Sequence, residues 1–403
     1  LAGEKIFMRI LFCVVGLLLA ISLHSHAAEE TTPEQSLARA VDYLWSQQQD
    51  DGSWRSEQYA VLRSGQALTP FLLHTLLQSS DTLSSHDVER AMRAVQFIVK
   101  HLDADGAIGR SDPDILEYPV YSTAYALMAI EKLQRHGNLL RKQGDLASWK
   151  MQEFLAKAQF NEDDGFKPEM PAYGGWGFDQ AQSPGDSGHM DLAHTRRVLE
   201  ALAVANRRLP AFADFHCNLA NRAQCFLRVV QKHPSALAGQ PMPDGAARPN
   251  EIPFDGGFYF SPVVLAANKG RMNEDGNCWQ SYATATCDGI LALLASGVPR
   301  DDQRIIAAVD WLKKHTNLDY PQGVPTDHPE PWGEAIQFYH YATRAEVFRA
   351  LDFPVEERAK LAAAVARHQR EVGSFVNTVS PLMKEDEPLL ATALAVVALS
   401  HCR

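Results

Sequence analysis

The residues best suited to proton transfer are two histidines and two tyrosines near the starts of predicted helices. His194 and His340 could act as an acid/base pair, because an imidazole ring titrates near neutral pH. Tyr282 or Tyr341 would then be the partner of the imidazole. In the structural alternative, both histidines sit in a wall of packed helices and hydrogen-bond to neighbouring threonine or aspartate side chains.

Two aspartates extend this candidate site. Asp191 lies three residues before His194, and Asp288 lies two residues after Thr286, where we expect a partly buried carboxylate. Such a carboxylate can transfer protons, but it can equally cap a helix or bind backbone N–H groups. The predicted catalytic residues are Asp191, His194, Tyr282, Asp288 and His340.

Aromatic residues near the same helix starts are candidates for ligand contacts. Two insertions, 173–179 and 255–260, combine adjacent glycines with aromatic side chains that offer apolar or sugar-stacking surface. Packing at the rim is the structural alternative for Trp176 and Phe258. The predicted ligand-binding residues are Tyr121, Trp176, Asp179, Phe258, Tyr339 and Tyr341.

Residues able to bind a metal are sparse. His189, Asp191 and His194 form only a weak cluster, whereas a zinc site takes at least three protein ligands in a defined arrangement. We therefore predict no metal site and no cofactor.

These candidates are positioned by a sequence repeat. In its first copy, Tyr43 and Leu44 end an amphipathic segment, Gln48 follows, and a Gly-Ser-Trp step occupies 52–54. Further copies are centred on Phe97, Phe154, Phe226, Trp311 and Ala364, at intervals of 53 to 85 residues. In the third copy we assign Gln159 and the Gly-Phe step at 165–166 to these positions. Each copy predicts an amphipathic helix, a glycine turn and a second helix that is apolar on nearly every side.

The second helices must be buried because they are apolar all round. They are predicted at 67–79, 119–133, 190–206, 280–297, 335–351 and 387–401. Each carries a threonine near its start, which we expect to bond locally to the backbone, and each repeat glutamine is expected to tie neighbouring outer helices together. Six such hairpins predict an all-α fold with an outer and an inner ring of helices and a cup where the inner helices begin.

The repeats resemble the QW motif of the triterpene cyclases. Residues 39–54 match its full pattern, [KR]-[GA]-x-x-[FYW]-[LIV]-x3-Q-x3-G-x-W, and the other five copies match in part. The chain is therefore similar to squalene and hopene cyclases, to protein prenyltransferase β-subunits and to prenyltransferase/squalene oxidase repeat proteins. The resemblance implies a single α6/α6 toroid.

The resemblance also marks a departure from cyclase chemistry. In hopene-forming cyclases a D-x-D-D-T motif supplies the proton, and the matching stretch here is 191–195. Asp191 and Thr195 are kept, whereas Ala193 stands at the acid position and His194 at the last aspartate. The zinc ligands of prenyltransferases would fall on Gln280 and Tyr282, neither of which suits zinc. The family likeness thus implies an isoprenoid or other apolar, lipid-like ligand in a central cavity, without cyclisation by that acid.

The ends and the charge of the chain bear on its location and partners. Arg9, the apolar run 10–22 and the small residues Ser25 and Ala27 predict a secretory signal with upstream leader over residues 1–27. We then expect a periplasmic or secreted protein with one toroid domain over 28–403 and no membrane span after cleavage. The net charge of -11, with no basic block, argues against nucleic acid as a partner.

The cysteine pattern leaves the redox state open. Cys217 with Cys225, or Cys278 with Cys287, could pair in an oxidising compartment, and buried free thiols are the alternative.

Two further functions stay open beside an apolar-ligand pocket with acid/base chemistry. One is a non-catalytic periplasmic binding scaffold, and the other is a carbohydrate-active lyase or hydrolase, since α/α toroids host such enzymes. The residue composition of the cavity wall would distinguish these three functions. Leu, Phe and Trp favour an apolar ligand, several Arg or Asn favour a carbohydrate, and a plugged cup favours a scaffold.

Overall fold

The computed structural model describes residues 31–80, 82–112, 114–135, 141–181, 183–184, 190–208, 213–234, 254–272 and 279–403. A two-residue antiparallel ladder joins β1 (Trp176–Gly177) to β2 (Met190–Asp191). The α-helices are α1 (Pro33–Ser46), α2 (Leu68–Ser79), α3 (Ser85–Lys100), α4 (Pro119–Arg135), α5 (Arg141–Lys157), α6 (Leu192–Arg208), α7 (Ala213–Val230), α8 (Ala283–Ala295), α9 (Gln303–Lys314), α10 (Trp332–Ala335), α11 (Gln337–Ala350), α12 (Val355–Ala366) and α13 (Pro388–His401). The predicted signal segment lies outside the described residues.

Six of the described helices form a closed inner ring. Helix α2 packs on α4, α4 on α6, α6 on α8, α8 on α11, α11 on α13, and α13 returns to α2. Each is preceded in the chain by one helix of an outer ring, in the order α1, α3, α5, α7, α9 and α12. The predicted all-α toroid of six hairpins is confirmed, and the predicted inner helices agree with the observed ones within three residues at each end.

The apolar composition of the inner helices explains their position. Every residue of α8 from Ala283 to Leu293 is buried, because this helix contacts α6, α11 and the outer helices α7 and α9. The outer helices bury one face only. In α3, Ala91, Ala94 and Ile98 are buried at helical spacing, and the helix begins after Ser84, whose hydroxyl accepts from the backbone N–H of Asp87 at 3.1 Å.

The repeat glutamines link the outer helices to one another. The Gln159 side-chain amide donates to the carbonyl of Gly174 at 3.0 Å and to that of Leu219, in the next outer helix α7, at 2.9 Å. Equivalent pairs of bonds are made by Gln48, Gln231 and Gln369. The bond from Gln369 reaches Ser36 of α1, so the series also closes the outer ring.

The structure corrects the third repeat. The sequence reading assigned the Gly-Phe step at 165–166 to the turn, whereas Gln159 bonds to Gly174, and 174–176 is the Gly-Gly-Trp turn. Gly174 has φ +84°, and a Cβ placed there would lie 2.0 Å from the Arg222 carbonyl oxygen of α7. The turn therefore needs glycine for its backbone conformation and for its contact with the next outer helix.

The repeat threonines differ from the expectation of purely local bonding. The Thr195 hydroxyl donates locally to the Asp191 carbonyl at 2.9 Å, but it also accepts from the backbone N–H of Trp176 at 3.0 Å. The threonines at 69, 123, 286 and 392 accept in the same way from the residue two positions after their turn glycine. These bonds fix each glycine turn to the start of its inner helix.

Two further observations concern the cysteines and the membrane. Cys217, Cys225, Cys287 and Cys402 are free thiols, and Cys278 lies outside the described residues. Among the described helices, none combines the length and apolar character needed to cross a bilayer.

Candidate functional site

A cavity of about 250 Å³ opens where the inner helices begin. We call it the open-end cavity. Its wall takes residues from the first turns of the inner helices, including Leu68, Tyr121, Ala193, Thr284 and Tyr339. The closed ring therefore places an open cavity at the helix N-termini, in the position that the sequence predicts for the cup.

The wall of the open-end cavity is mainly aliphatic and aromatic. Its apolar and aromatic members are Leu62, Ala67, Leu68, Phe71, Tyr118, Tyr121, Tyr125, Ala193, Phe260, Tyr282, Ile336, Tyr339, Met383, Leu390 and Leu394. The remaining wall residues are Ser122, Lys269, Thr284, Lys384 and Glu385. No arginine or asparagine occurs among the described residues of this wall.

Phe71 and Tyr125 separate this cavity from a second one. Their ring centroids are 4.9 Å apart, and both residues line both cavities. The second cavity, of about 500 Å³, lies at the C-terminal ends of the inner helices and is lined by charged residues that include Arg197, Glu200 and Glu346. The toroid thus holds an apolar space at one end and a charged one at the other.

Glu385 is a buried carboxylate in the wall of the open-end cavity. It accepts from the backbone N–H groups of Phe338 and Tyr339, at the start of α11, at 2.9 and 2.8 Å, and from the Asn377 amide at 3.2 Å. Burial raises the pKa of Glu385 to about 7, against these hydrogen bonds, which lower it. The contacts make Glu385 the cap of α11 and leave it near its titration point at neutral pH.

Asp288 lies behind the cavity wall and is joined to it by a tyrosine. The Tyr339 hydroxyl, in the wall, donates to the two Asp288 carboxylate oxygens at 3.0 and 2.9 Å. Arg196 donates to the same carboxylate at 2.8 Å. Burial raises the pKa of Asp288 to about 6, although the nearby guanidinium of Arg196 lowers it. Asp288 and Tyr339, both predicted as site residues, are therefore brought together.

Arg196 and Asp288 belong to a buried charge cluster with Arg197, Glu200 and Glu346. Arg196 also contacts Glu346 at 2.6 Å and Glu200 at 2.8 Å, and Arg197 contacts Glu200 at 2.8 Å and Glu346 at 3.1 Å. Burial would raise the pKa of Glu346, but the two guanidinium groups hold it well below its usual range. The cluster has three carboxylates for two arginines, so one negative charge is in excess when all are ionised.

Asp191 and His194, two of the predicted catalytic residues, contact each other at the start of α6. The Asp191 carboxylate accepts from the His194 backbone N–H at 2.9 Å and lies 2.8 Å from its Nδ1 atom. The imidazole packs on the Tyr121 ring, with centroids 4.1 Å apart, and Tyr121 lines the open-end cavity. Ala193, at the acid position of the cyclase motif, is the residue of this stretch that lines the cavity itself.

Tyr282, a predicted catalytic residue, lies in the cavity wall. It is buried, and its hydroxyl lies beside the Lys269 backbone without a hydrogen bond of good geometry to the described residues. Burial raises the pKa of Tyr282 well above its usual value, so the phenol remains a hydrogen-bond donor at neutral pH.

His340 and Tyr341 do not reach the open-end cavity. His340 is fully buried, and its Nε2 atom lies 3.4 Å from the Asn317 carbonyl oxygen. Burial lowers the pKa of His340 to about 3, so the imidazole is neutral in the folded protein. The Tyr341 hydroxyl lies 3.2 Å from both Asp319 and His368. His194 and His340 are therefore not a facing acid/base pair, because successive residues of α11 point in different directions.

Trp176, Phe258 and Asp179 also lie outside the cavity wall. The Trp176 indole N–H donates to the Leu155 carbonyl at 2.6 Å, and the Phe258 backbone N–H donates to Thr286 at 3.1 Å. The Asp179 carboxylate accepts from the Arg110 Nε at 2.9 Å. All three residues build repeat turns or their connections, which is the structural alternative for the two aromatics.

The sequence reading missed Lys269, Glu385 and the two arginines of the charge cluster. Lys269 follows an insertion that has no helical period, so no pattern assigned it to the cavity. Arg196 and Arg197 could have been found, because two adjacent arginines directly after Thr195 fall within a helix predicted to be internal. Charged residues on an inner helix require buried partners. No group of three or more side chains suited to bind a metal occurs in the described residues.

The toroid has counterparts among solved structures. A crystal structure of a protein from Actinoplanes matches with TM-score 0.53 and 17% identity, over 92% of this chain and 99% of that one. A variant of the type II terpene cyclase MstE from Scytonema, with its product merosterolic acid A, matches with TM-score 0.52 and 16% identity, over 92% and 96%. A D-mannose isomerase matches with TM-score 0.53 and 11% identity, over 93% and 99%.

These likenesses establish a terpenoid cyclase-like α/α toroid fold. No protein-family model matches the sequence, and no curated protein is significantly similar to it. Because one neighbour is a terpene cyclase and another a sugar isomerase, the fold alone does not select a reaction.

Proposed function

We propose that this protein binds an apolar ligand, an isoprenoid or a similar hydrocarbon, in the open-end cavity. The observation that carries the proposal is the cavity wall, in which aromatic and aliphatic side chains enclose a space at the centre of a closed ring. Removal of hydrocarbon from water would drive binding, at roughly 25 cal/mol for each Å² buried. A carbohydrate would need several polar side chains at fixed positions, and this wall offers few.

The volume of the cavity suggests the size of the enclosed part. A space of about 250 Å³ is many times the roughly 10–15 Å³ that a cavity needs to hold one water molecule. It can therefore take a small hydrocarbon, or one end of a longer chain. MstE, which shares the fold, has been solved with geranylgeranyl dihydroxybenzoate, an isoprenoid-bearing substrate. That neighbour supports an isoprenoid as one member of the ligand class.

The test is a titration with citronellol, a ten-carbon isoprenoid alcohol, followed by calorimetry and native mass spectrometry. We expect one molecule bound for each chain. Replacing Ala193 by leucine should weaken binding at least tenfold, because the added methyl groups fill the cavity. Ala203 is the matched control, since it lies on the same helix but lines the second cavity. Absence of citronellol binding, or equal losses in A193L and A203L, would contradict the proposal.

A catalytic role is the second candidate, favoured by the link from the cavity to Asp288. Tyr339 contacts both the cavity and this carboxylate, so a proton can pass between a bound ligand and Asp288 through the phenol. The test compares Tyr339→Phe with wild type. Retained binding with loss of any ligand turnover supports proton transfer, whereas unchanged turnover refutes it.

Export is proposed on sequence grounds alone. Residues 1–27 would be removed as a signal segment, and Ala28 would be the first residue of the mature chain. Amino-terminal sequencing of protein recovered from a periplasmic fraction tests this. A mature chain that still contains the run 10–22 would refute it.

A further inference from the structure

The Lys269 amine, in the wall of the open-end cavity, lies beside two aromatic rings. The Lys269 ammonium lies 5.2 Å from the centre of the Phe260 ring and 5.4 Å from that of the Trp332 ring. Its polar contact with protein is the Ala267 carbonyl at 3.4 Å, a weak hydrogen bond. Among the described residues no carboxylate lies within ion-pair distance of this amine.

The carboxylates around Lys269 do not form an ion pair with its amine. Asp191 and Asp288 act on it only through space, and each is bound elsewhere, Asp191 to His194 and Asp288 to Arg196 and Tyr339. Glu385, in the same wall, is held by the start of α11. Within the part of the chain that the structure describes, the amine therefore has no counter-ion.

A tyrosine hydroxyl shares the cavity wall with this lysine. Tyr282 lies in the same wall beside the Lys269 backbone, and its hydroxyl makes no well-formed hydrogen bond to the described residues. A buried donor without an acceptor is costly, so an oxygen supplied by a ligand would satisfy it. The site thus combines an amine nucleophile, a hydrogen-bond donor and an apolar pocket.

We propose that Lys269 forms an imine with an apolar aldehyde or ketone bound in the open-end cavity, with the Tyr282 hydroxyl donating to the carbonyl oxygen. This inference rests on the proposed apolar-ligand function and narrows its ligand class to carbonyl compounds. It also explains why Lys269 stands in a mainly apolar wall without an ion-pair partner among the described residues.

The reaction balances without any further reagent. The lone pair of the neutral Lys269 amine forms a bond to the carbonyl carbon, and the carbonyl oxygen takes a proton to give a carbinolamine. The carbinolamine then loses its hydroxyl together with the remaining N–H proton as one water molecule, which leaves the C=N bond. Desolvation supports the first step, since removal from water lowers the pKa of Lys269 to about 8, although Asp191 and Asp288 oppose that change.

Reductive trapping tests the proposal on the full chain. The protein is incubated at pH 7 with citronellal, the aldehyde that corresponds to citronellol, and with sodium cyanoborohydride. Peptide mapping then locates the secondary amines. At pH 7 about one Lys269 side chain in ten is neutral, against roughly one in 2,500 for an ordinary lysine. We expect Lys269 to be labelled on the order of 100-fold faster than the exposed Lys313 and Lys360.

Controls separate this inference from the function on which it rests. Lys313→Met removes an exposed lysine far from the wall residues and should leave Lys269 labelling unchanged, whereas Lys269→Met should abolish selective labelling. Excess citronellol should protect Lys269 in the wild-type protein. If citronellol binds but labelling is equal at Lys269 and exposed lysines, imine formation is refuted and the apolar pocket stands. If citronellol does not bind and labelling is unselective, both proposals fail. The wild-type labelling map decides the question even if a variant does not fold.

Discussion

Replacing Gly174 by alanine is expected to loosen the outer ring, and Gly297 offers a matched control for the effect. Both glycines have a left-handed backbone, with φ +84° and +89°. A Cβ at Gly174 would lie 2.0 Å from the Arg222 carbonyl oxygen, whereas a Cβ at Gly297 would have no atom within 4 Å. The two substitutions therefore share the backbone term and differ in the contact between outer helices.

The magnitude follows from these two terms. The left-handed conformation costs a non-glycine residue about 1–2 kcal/mol, which is the whole expected loss for Gly297→Ala. Gly174→Ala has a second cost beside this backbone term, because the added methyl group must push the α7 backbone away and disturb the two hydrogen bonds of Gln159. Overpacking of this kind costs about 1–3 kcal/mol. We expect a total loss of about 2–5 kcal/mol for Gly174→Ala.

Urea unfolding followed by circular dichroism measures the difference. The unfolding midpoint of G174A should fall well below that of G297A, with the difference equivalent to about 1–3 kcal/mol. Equal midpoints for the two variants would refute the reasoning, because they would show that the glycine turn does not press on the next outer helix.

Four further predictions concern buried polar groups. Gln159→Ala should cost about 2–3 kcal/mol in urea unfolding, because two buried carbonyls lose their donor; a loss below 1 kcal/mol would contradict the tie between α5 and α7. Arg196→Met should lower the free energy of unfolding by about 3–5 kcal/mol, because it increases the excess negative charge of the cluster. Asp288→Asn should lower it clearly less, because it removes that excess. The reverse order in thermal or urea unfolding would refute this charge balance. Burial raises the pKa of Glu385 to about 7, so the folded state binds the proton of this carboxyl group more tightly than the unfolded chain does. The stability that the bound proton adds to the fold is full below about pH 4.5 and is lost as the pH rises to about 7. The difference in the free energy of unfolding, Glu385→Gln minus wild type, should therefore rise between these pH values and then level. A difference that does not change with pH would count against a raised pKa for Glu385. His340→Ala should leave citronellol affinity within twofold while lowering the melting temperature, and a selective loss of affinity would return His340 to the site.

Much of the architecture was accessible from the sequence because the repeat has a strong period and the inner helices are apolar on every side. Residues 280–297 predict a buried helix, and Ala283–Ala295 is one. The error at 165–166 arose because that step also carries glycine followed by an aromatic. Only the hydrogen bonds of Gln159 and Thr195 distinguish the turn at 174–176 from it.

Less of the site than of the fold could be predicted from the sequence, because a sequence indicates where a helix starts but not the direction in which each side chain points. Tyr121, Tyr282 and Tyr339 line the cavity as predicted, whereas His340 and Tyr341, one and two residues after Tyr339, face other surroundings. A helix turns by about 100° for each residue, so an error of one residue removes a side chain from the site. Lys269 comes from a connection without periodicity, and its place in the wall depends on tertiary packing.

The most direct measurement is a crystal structure of the protein with an iodinated ten-carbon alcohol, using anomalous scattering to locate the iodine. We predict one strong peak inside the ring, between Tyr121, Phe260 and Leu394. A peak only in the charged cavity beside Arg197, or only on the outer surface, would contradict an apolar-ligand site at the open end.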